Sequence, residues 1–290
     1  MPKTKANGIE LCYETFGSSD DPAMLLIMGL GAQMIAWPDE FCELLASAGF
    51  HVIRYDNRDV GESTWFDDAG SPDVGAAFSG NATPAYTLED MADDAGGLLE
   101  ALGIGTAHIV GVSMGGMIAQ LVAAQHSSRT LSLCSIMSTP GGQDSTPPTE
   151  AAMQALMAPR PTTREQAIET ALNARKVIGS TGFPADEDKL REQAARAYDR
   201  ANHPEGMMRQ MVAIMSSPSR VELLGNVAVP TVVIHGTVDP LVPPDNGDKT
   251  AKAIPGADLV TVDGMGHDLP EGAWPQIVDA IVANTAKVSA

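Results

Sequence analysis

The sequence predicts an α/β fold: a mostly parallel central sheet flanked by helices, with a helical cap inserted between two core strands. Three observations predict it. Short apolar runs rich in β-branched residues recur along the chain and alternate with helical patterns, as expected of a parallel sheet covered on both faces. Residues 139–218 break that rhythm, with several helical patterns and no good strand. The chain has 290 residues and 44% hydrophobic content, which suits one large domain carrying a modest insertion. The expected division is a core over residues 1–138 and 219–290 and a cap over 139–218.

Taken in order, Ile9–Tyr13 alternates and reads as an edge strand. Ala23–Met28 is apolar throughout, as a strand buried on both faces should be. Val52–Tyr55, Ala107–Val112, Leu131–Ile136, Thr231–His235 and Asp258–Val262 read likewise. Thr87–Leu102 opens with a Thr87-x-x-Asp90 capping box and sets Leu88, Met91, Ala95, Leu98 and Leu102 on one helical face. Met114–Ser127 and Pro275–Ala286 are further helices. Thr64–Tyr86 is a long polar loop, and loops of that length are usually functional or mobile. Inside the expected cap, helical patterns cover Thr149–Met157, Arg164–Val177, Asp186–Ala201 and Pro204–Met215, between the turn signals Thr139-Pro140-Gly141-Gly142 and Ser216-Ser217-Pro218.

With 18 basic against 37 acidic residues the net charge is −19. An acidic surface repels phosphate backbones and anionic lipid, which argues against nucleic acid and membrane partners. Cys12, Cys42 and Cys134 are odd in number and widely spaced, giving neither a disulfide framework nor a zinc pattern. The first residues carry no apolar stretch, and Met24–Trp37 is too short to span a bilayer, so a soluble, cytoplasmic protein is expected.

The chemistry concentrates at Gly111-Val112-Ser113-Met114-Gly115, at the end of a predicted strand and the start of a helix. A sharp strand-to-helix turn strains the serine backbone and projects its hydroxyl above the sheet. Glycines on either side are needed because a β-carbon there would collide with neighbouring elements. A serine hydroxyl requires a base. Of six histidines, His51, His108 and His235 lie in or at apolar strands and read as structural. His126 ends a helix, and His203 lies in the cap. His267 lies in the loop Asp263-Gly264-Met265-Gly266-His267 after the last strand, where the chain order Ser…Asp…His puts the base. The acid that orients it is expected at Asp239, directly after a buried strand, with Asp144 as the alternative. The oxyanion hole is expected from the Leu30 amide, turned inward by the tight turn at Gly29, and the Met114 amide. Gly29-x-Gly31 with Asp56 after the next strand also fits part of a dinucleotide site, but Met34 stands where the third glycine belongs.

Together, Met28-Gly29, the serine turn, Asp239 and His267 resemble the α/β-hydrolase superfamily, and Tyr55–Ser63 resembles its Asp-x-Arg-Gly-x-Gly-x-Ser segment. Trp37–Phe41, His51–Asp56 and Pro230–Asp239 resemble the aclacinomycin methylesterase-like esterases over almost the whole chain. Two departures stand out: Met28 replaces the usual histidine before Gly29, and Asp59 replaces a usual glycine. The first leaves the backbone donor intact. Asp56 and Arg58 read as a brace for the loop beside the site.

The resemblance implies an α/β-hydrolase fold and a carboxylic ester hydrolase with a small-molecule ester substrate. Short-chain or small alkyl esters would enter a bounded apolar pocket. Core packing is the ordinary use of each methionine. As a set, Met28, Met34, Met114, Met117 and Met137 with Met153, Met157, Met207, Met208, Met211 and Met215 would line such a pocket. No metal or organic cofactor is required. Alternatives on the same site are amide, lactone or carbon–carbon bond hydrolysis, cofactor-free perhydrolysis, and a non-catalytic ligand receptor.

Overall fold

Every residue of Ala23–Ile27 is buried, because the strand it forms lies in the middle of a sheet covered on both faces. The structure, a computed structural model, describes residues 1–288. Its strands are β1 (Lys3–Ala6), β2 (Ile9–Phe16), β3 (Ala23–Ile27), β4 (His51–Tyr55), β5 (Ala107–Val112), β6 (Thr130–Ile136), β7 (Thr231–Gly236) and β8 (Asp258–Val262). They form one sheet in the order β1-β2-β4-β3-β5-β6-β7-β8. β2 pairs antiparallel with both β1 and β4; the remaining pairings, β4–β3, β3–β5, β5–β6, β6–β7 and β7–β8, are parallel. The helices are α1 (Asp39–Ser47), α2 (Val74–Phe78), α3 (Leu88–Ala101), α4 (Met114–Gln125), α5 (Glu150–Leu156), α6 (Arg164–Ile178), α7 (Glu187–Arg200), α8 (Pro204–Ser216), α9 (Val221–Leu224), α10 (Asp245–Ala253) and α11 (Trp274–Thr285).

Successive side chains of a strand point to opposite faces, so β3 feeds two cores. Leu25 and Ile27 pack with Met91, Leu98 and Ile118 of α3 and α4. Met24 and Leu26 pack with Phe41 and Leu45 of α1 and with Ile277 and Ile281 of α11. Each such side chain contributes about 1.5–3 kcal/mol on full burial. The predicted capping box is present: Thr87 Oγ1 accepts from the Asp90 amide, and the Asp90 carboxylate accepts from the Thr87 amide.

Two readings need correction. Ile9–Tyr13 is part of β2, which is not an edge: β1 covers it, joined through Asn7 (φ 47°) and Gly8 (φ 80°). Both turn residues are left-handed, as a tight hairpin requires. Asp56 and Arg58 brace in different directions rather than as a pair. Arg58 forms a double contact with Asp94 of α3 at 2.6 and 2.7 Å. The Asp56 carboxylate receives the Met34 and Glu62 amides and Arg200 of α7. Its oxygens are thus fully engaged, which removes the ribose-binding acid a dinucleotide site would need.

The α5 to α8 helices lie between β6 and β7, and among the described residues no strand interrupts them. They touch the loops at the C-terminal ends of the parallel strands: Gln33 Nε2 donates to the Ala197 and Ala201 carbonyls of α7 and its C-cap. Among the described residues no helix is long and apolar enough to cross a membrane.

Candidate active site

The parallel strands end in register. Ile27 lies opposite Gly111, Gly111 opposite Ser135, and Ile136 opposite Ile234. The loops leaving β3, β5, β7 and β8 therefore meet at one edge, where open α/β sheets place their sites. Ser113 follows β5 at φ 55°, ψ −121°, a left-handed conformation that costs a non-glycine residue about 1–3 kcal/mol. The fold holds it there: its amide donates to the Ile136 carbonyl at 2.9 Å, and its carbonyl accepts from Ser138 Oγ at 2.8 Å. The flanking glycines are required by close approach. A β-carbon on Gly111 would stand 2.0 Å from the Gly115 oxygen, and one on Gly115 2.1 Å from the Ile27 oxygen.

Ser113, His267 and Asp239 are brought into one hydrogen-bonded line. His267 Nε2 lies 3.0 Å from Ser113 Oγ, and His267 Nδ1 lies 2.7 Å from Asp239 Oδ2. Asp239 is 2% exposed, and its Oδ1 accepts the Leu241 and Val242 amides at 2.9 Å each. One oxygen is thereby occupied by backbone and the other is left for the imidazole. A carboxylate against Nδ1 keeps the proton on that nitrogen and leaves Nε2 free to accept from the serine. Asp144 takes no part in this line; it is exposed and accepts from Ser219.

Four of the other histidines, His108, His126, His203 and His235, have separate partners. His108 is buried, lies 2.8 Å from Ser132 Oγ, and burial pushes its pKa down to about 4. His235 bonds the Val242 carbonyl, His126 bonds Asp93, and His203 bonds Asp67. The cysteines are buried thiols held up by burial, Cys12 at about 11 and Cys42 at about 12, and none is poised as a thiolate.

The loop after β3 turns from Gly29, whose carbonyl accepts from the Ala32 amide at 3.2 Å. The left-handed residue is Gly31 (φ 65°), not Gly29. At Gly29 the constraint is proximity: a β-carbon there would stand 3.2 Å from Ser113 Cβ, a tight contact that would push on the nucleophile. The Leu30 and Met114 amides receive no acceptor among the described residues, and both residues border the cavity above Ser113. Sequence reasoning missed the side chain that secures this loop, Gln210 of α8. Its Oε1 accepts the Gly31 amide at 2.8 Å, and its Nε2 donates to the Arg58 carbonyl at 2.8 Å. No local pattern marks a glutamine for such a contact.

The cavity over Ser113 and His267 measures about 1310 Å³. Met28, Met114, Met117, Met137, Met153, Met211 and Met215 all border it. Met34 is instead packed in a small cluster with Cys12 and Ile35, and Met207 presses on Gly31.

Fold and site placement are those of one class. The chain belongs to the α/β-hydrolase fold family, which it matches over residues 22–272. It is 31% identical to the rhodomycin D methylesterase of Streptomyces sp. (strain C5) and 30% identical to that of Streptomyces peucetius, in both cases covering 96% of this chain and 95% of the relative. These relatives agree with the esterase resemblance seen in the sequence. The enol-lactonase from Burkholderia xenovorans LB400 superposes with a TM-score of 0.76 at 22% identity, covering 99% of this chain and 100% of that one.

Proposed function

We propose that the protein is a carboxylic ester hydrolase acting on small alkyl esters through a Ser113–His267–Asp239 triad and an acyl-enzyme. The observation that carries this reading is the continuous line from Asp239 Oδ2 through His267 to Ser113 Oγ, at 2.7 and 3.0 Å. His267 Nε2 takes the proton as Ser113 Oγ attacks the ester carbonyl. Asp239 holds the tautomer and stabilises the imidazolium. The Leu30 and Met114 amides receive the oxyanion, a role worth about 2.7–4 kcal/mol per donor in this chemistry. The imidazolium returns the proton to the departing alcohol, and water repeats the cycle to release the acid. No metal or organic cofactor enters these steps.

The α5 to α8 helices act as the cap in this reading, closing residues 139–218 over the core formed by 1–138 and 219–290. Binding sites for small molecules commonly measure about 300–1,000 Å³, and a cavity of about 1310 Å³ exceeds what a butyrate fills. Of the two substrate types expected, short acyl chains or small alkyl groups, the volume favours a small alcohol on a bulky acid. The methylesterase relatives support the same choice. The test is covalent labelling with a fluorophosphonate probe followed by peptide mapping. The modification is expected on Ser113 and nowhere else; labelling that persists in Ser113→Ala refutes the assignment.

A further inference from the structure

The segment joining α6 to α7 lies along the loop that carries His267. The His267 amide donates to the Ile178 carbonyl at 2.7 Å, and the Gly182 amide donates to the Gly264 carbonyl at 2.9 Å. Between these bonds sits Ser180, 5% exposed. Its hydroxyl accepts the Gly266 amide at 2.9 Å and donates to Asp268 Oδ1, which also accepts the Ser180 amide at 2.8 Å. The second oxygen of Asp268 pairs with Arg175 of α6 at 3.0 Å. Arg175 then donates to the Ser180 and Phe183 carbonyls, both at 2.9 Å. The two backbones touch. A β-carbon on Gly264 would stand 2.6 Å from Gly182 Cα, and one on Gly266 2.5 Å from the Gly179 carbonyl carbon.

The core secures the histidine loop only as far as Met265, whose amide bonds the Val262 carbonyl and whose carbonyl accepts from Val238. From Gly266 to Asp268, the bonds other than those to Ser113 and Asp239 run to Arg175, Ile178 and Ser180 among the described residues. The imidazole must hold two hydrogen bonds at once, and a misplacement of about 1 Å at a reacting group can cost about 100-fold in rate.

We propose that Arg175, Ser180 and Asp268 are positioning residues of the reaction, fixing His267 between Asp239 and Ser113 by tying its backbone to the segment between α6 and α7. The proposal rests on the reading of His267 as the base. None of the three touches the reacting atoms; they act through the loop. Arg175 and Asp268 also border the cavity.

The test compares Ser180→Ala, Ser180→Thr, Asp268→Asn and His267→Ala in the full chain on one methyl ester, with kcat, KM and Tm measured for each. Ser180→Ala and Asp268→Asn are expected to lower kcat by about 10- to 100-fold with KM changed less than about threefold. Ser180→Thr, which keeps the hydroxyl, is expected to recover most of the rate. Rescue by threonine separates positioning from a loss of folded protein, which would lower Tm and leave kcat per folded molecule unchanged. If Ser180→Ala does not fold, Asp268→Asn reads the same quantity. Unchanged kcat, or a rise in KM alone, overturns the proposal while inactivity of His267→Ala leaves the base assignment standing. Near-normal activity of His267→Ala overturns both.

Discussion

Gln210 accepts the Gly31 amide across 179 positions of sequence, at 2.8 Å, and so fastens α8 to the turn that presents the Leu30 amide. The same side chain donates to the Arg58 carbonyl at 2.8 Å and is fully buried. Replacing Gln210 with methionine keeps the volume but strands the half-buried Gly31 amide and the buried Arg58 carbonyl. Each stranded group costs about 1–3 kcal/mol. We expect a lower Tm and a fall in kcat of about tenfold or more, since a loosened donor weakens the oxyanion more than the bound ester. A variant with wild-type kcat would show that the Gly31 turn holds itself.

Asp239→Asn keeps the shape of the acid and its backbone contacts but offers His267 the wrong partner. Steady-state kinetics should show kcat reduced by about 10⁴-fold. Since Asp144 bonds Ser219 and not the imidazole, Asp144→Asn should leave kcat within a few-fold. The reverse pattern would move the acid to the earlier strand.

His108 sets a pH dependence on stability. Burial lowers its folded pKa to about 4, whereas the unfolded chain binds a proton near pH 6.5. The unfolded state therefore takes up protons first as pH falls. The site's influence is neutral above about pH 6.5 and destabilises the fold progressively from there down to about pH 4. Between pH 7.5 and 4.5 the loss from this group is about 2–3 kcal/mol. Denaturation of wild type and His108→Gln at both pH values checks it, because all other groups cancel in the difference. The variant should lose less stability than wild type on acidification; an equal loss would contradict the burial argument.

Substrate preference follows from the cavity of about 1310 Å³. For methyl esters of increasing acid size, kcat/KM should rise roughly fourfold per buried methylene, at about 0.8 kcal/mol each, until the wall is reached. Exchanging methyl for a longer alcohol should lower it. Emulsified triolein should be a poor substrate with no jump in rate on emulsification. Highest efficiency on long-chain triglyceride would favour a lipase instead.

The legible parts of this molecule are those written locally. The Thr87–Asp90 capping box starts α3 as the spacing predicts. The glycines around Ser113 announce two backbone contacts near 2 Å. β1 escaped because only Ala6 of its four residues is buried, so no apolar run marks it; the Asn7-Gly8 turn was the available signal. α1 carries a helix-start signal, Asp39 and Glu40 in a first turn after Pro38, although in the sequence Trp37–Phe41 stands out only through the family resemblance. α10, Asp245–Ala253, is a polar helix with Asn246, Gly247 and Thr250 on its buried side, which hides its face from a hydrophobic pattern. Gln210 and the Arg175–Ser180–Asp268 strap were not legible at all. Their partners are far away in sequence, and a contact across that distance leaves no periodic trace.

The most direct measurement of the central claim is kcat of Ser113→Ala on a methyl ester, with circular dichroism to show an intact fold. The account predicts a loss of about 10⁶-fold, leaving only the residual catalysis of the oxyanion donors and binding. Retention of more than a few per cent of wild-type kcat in a folded, purified variant would contradict it.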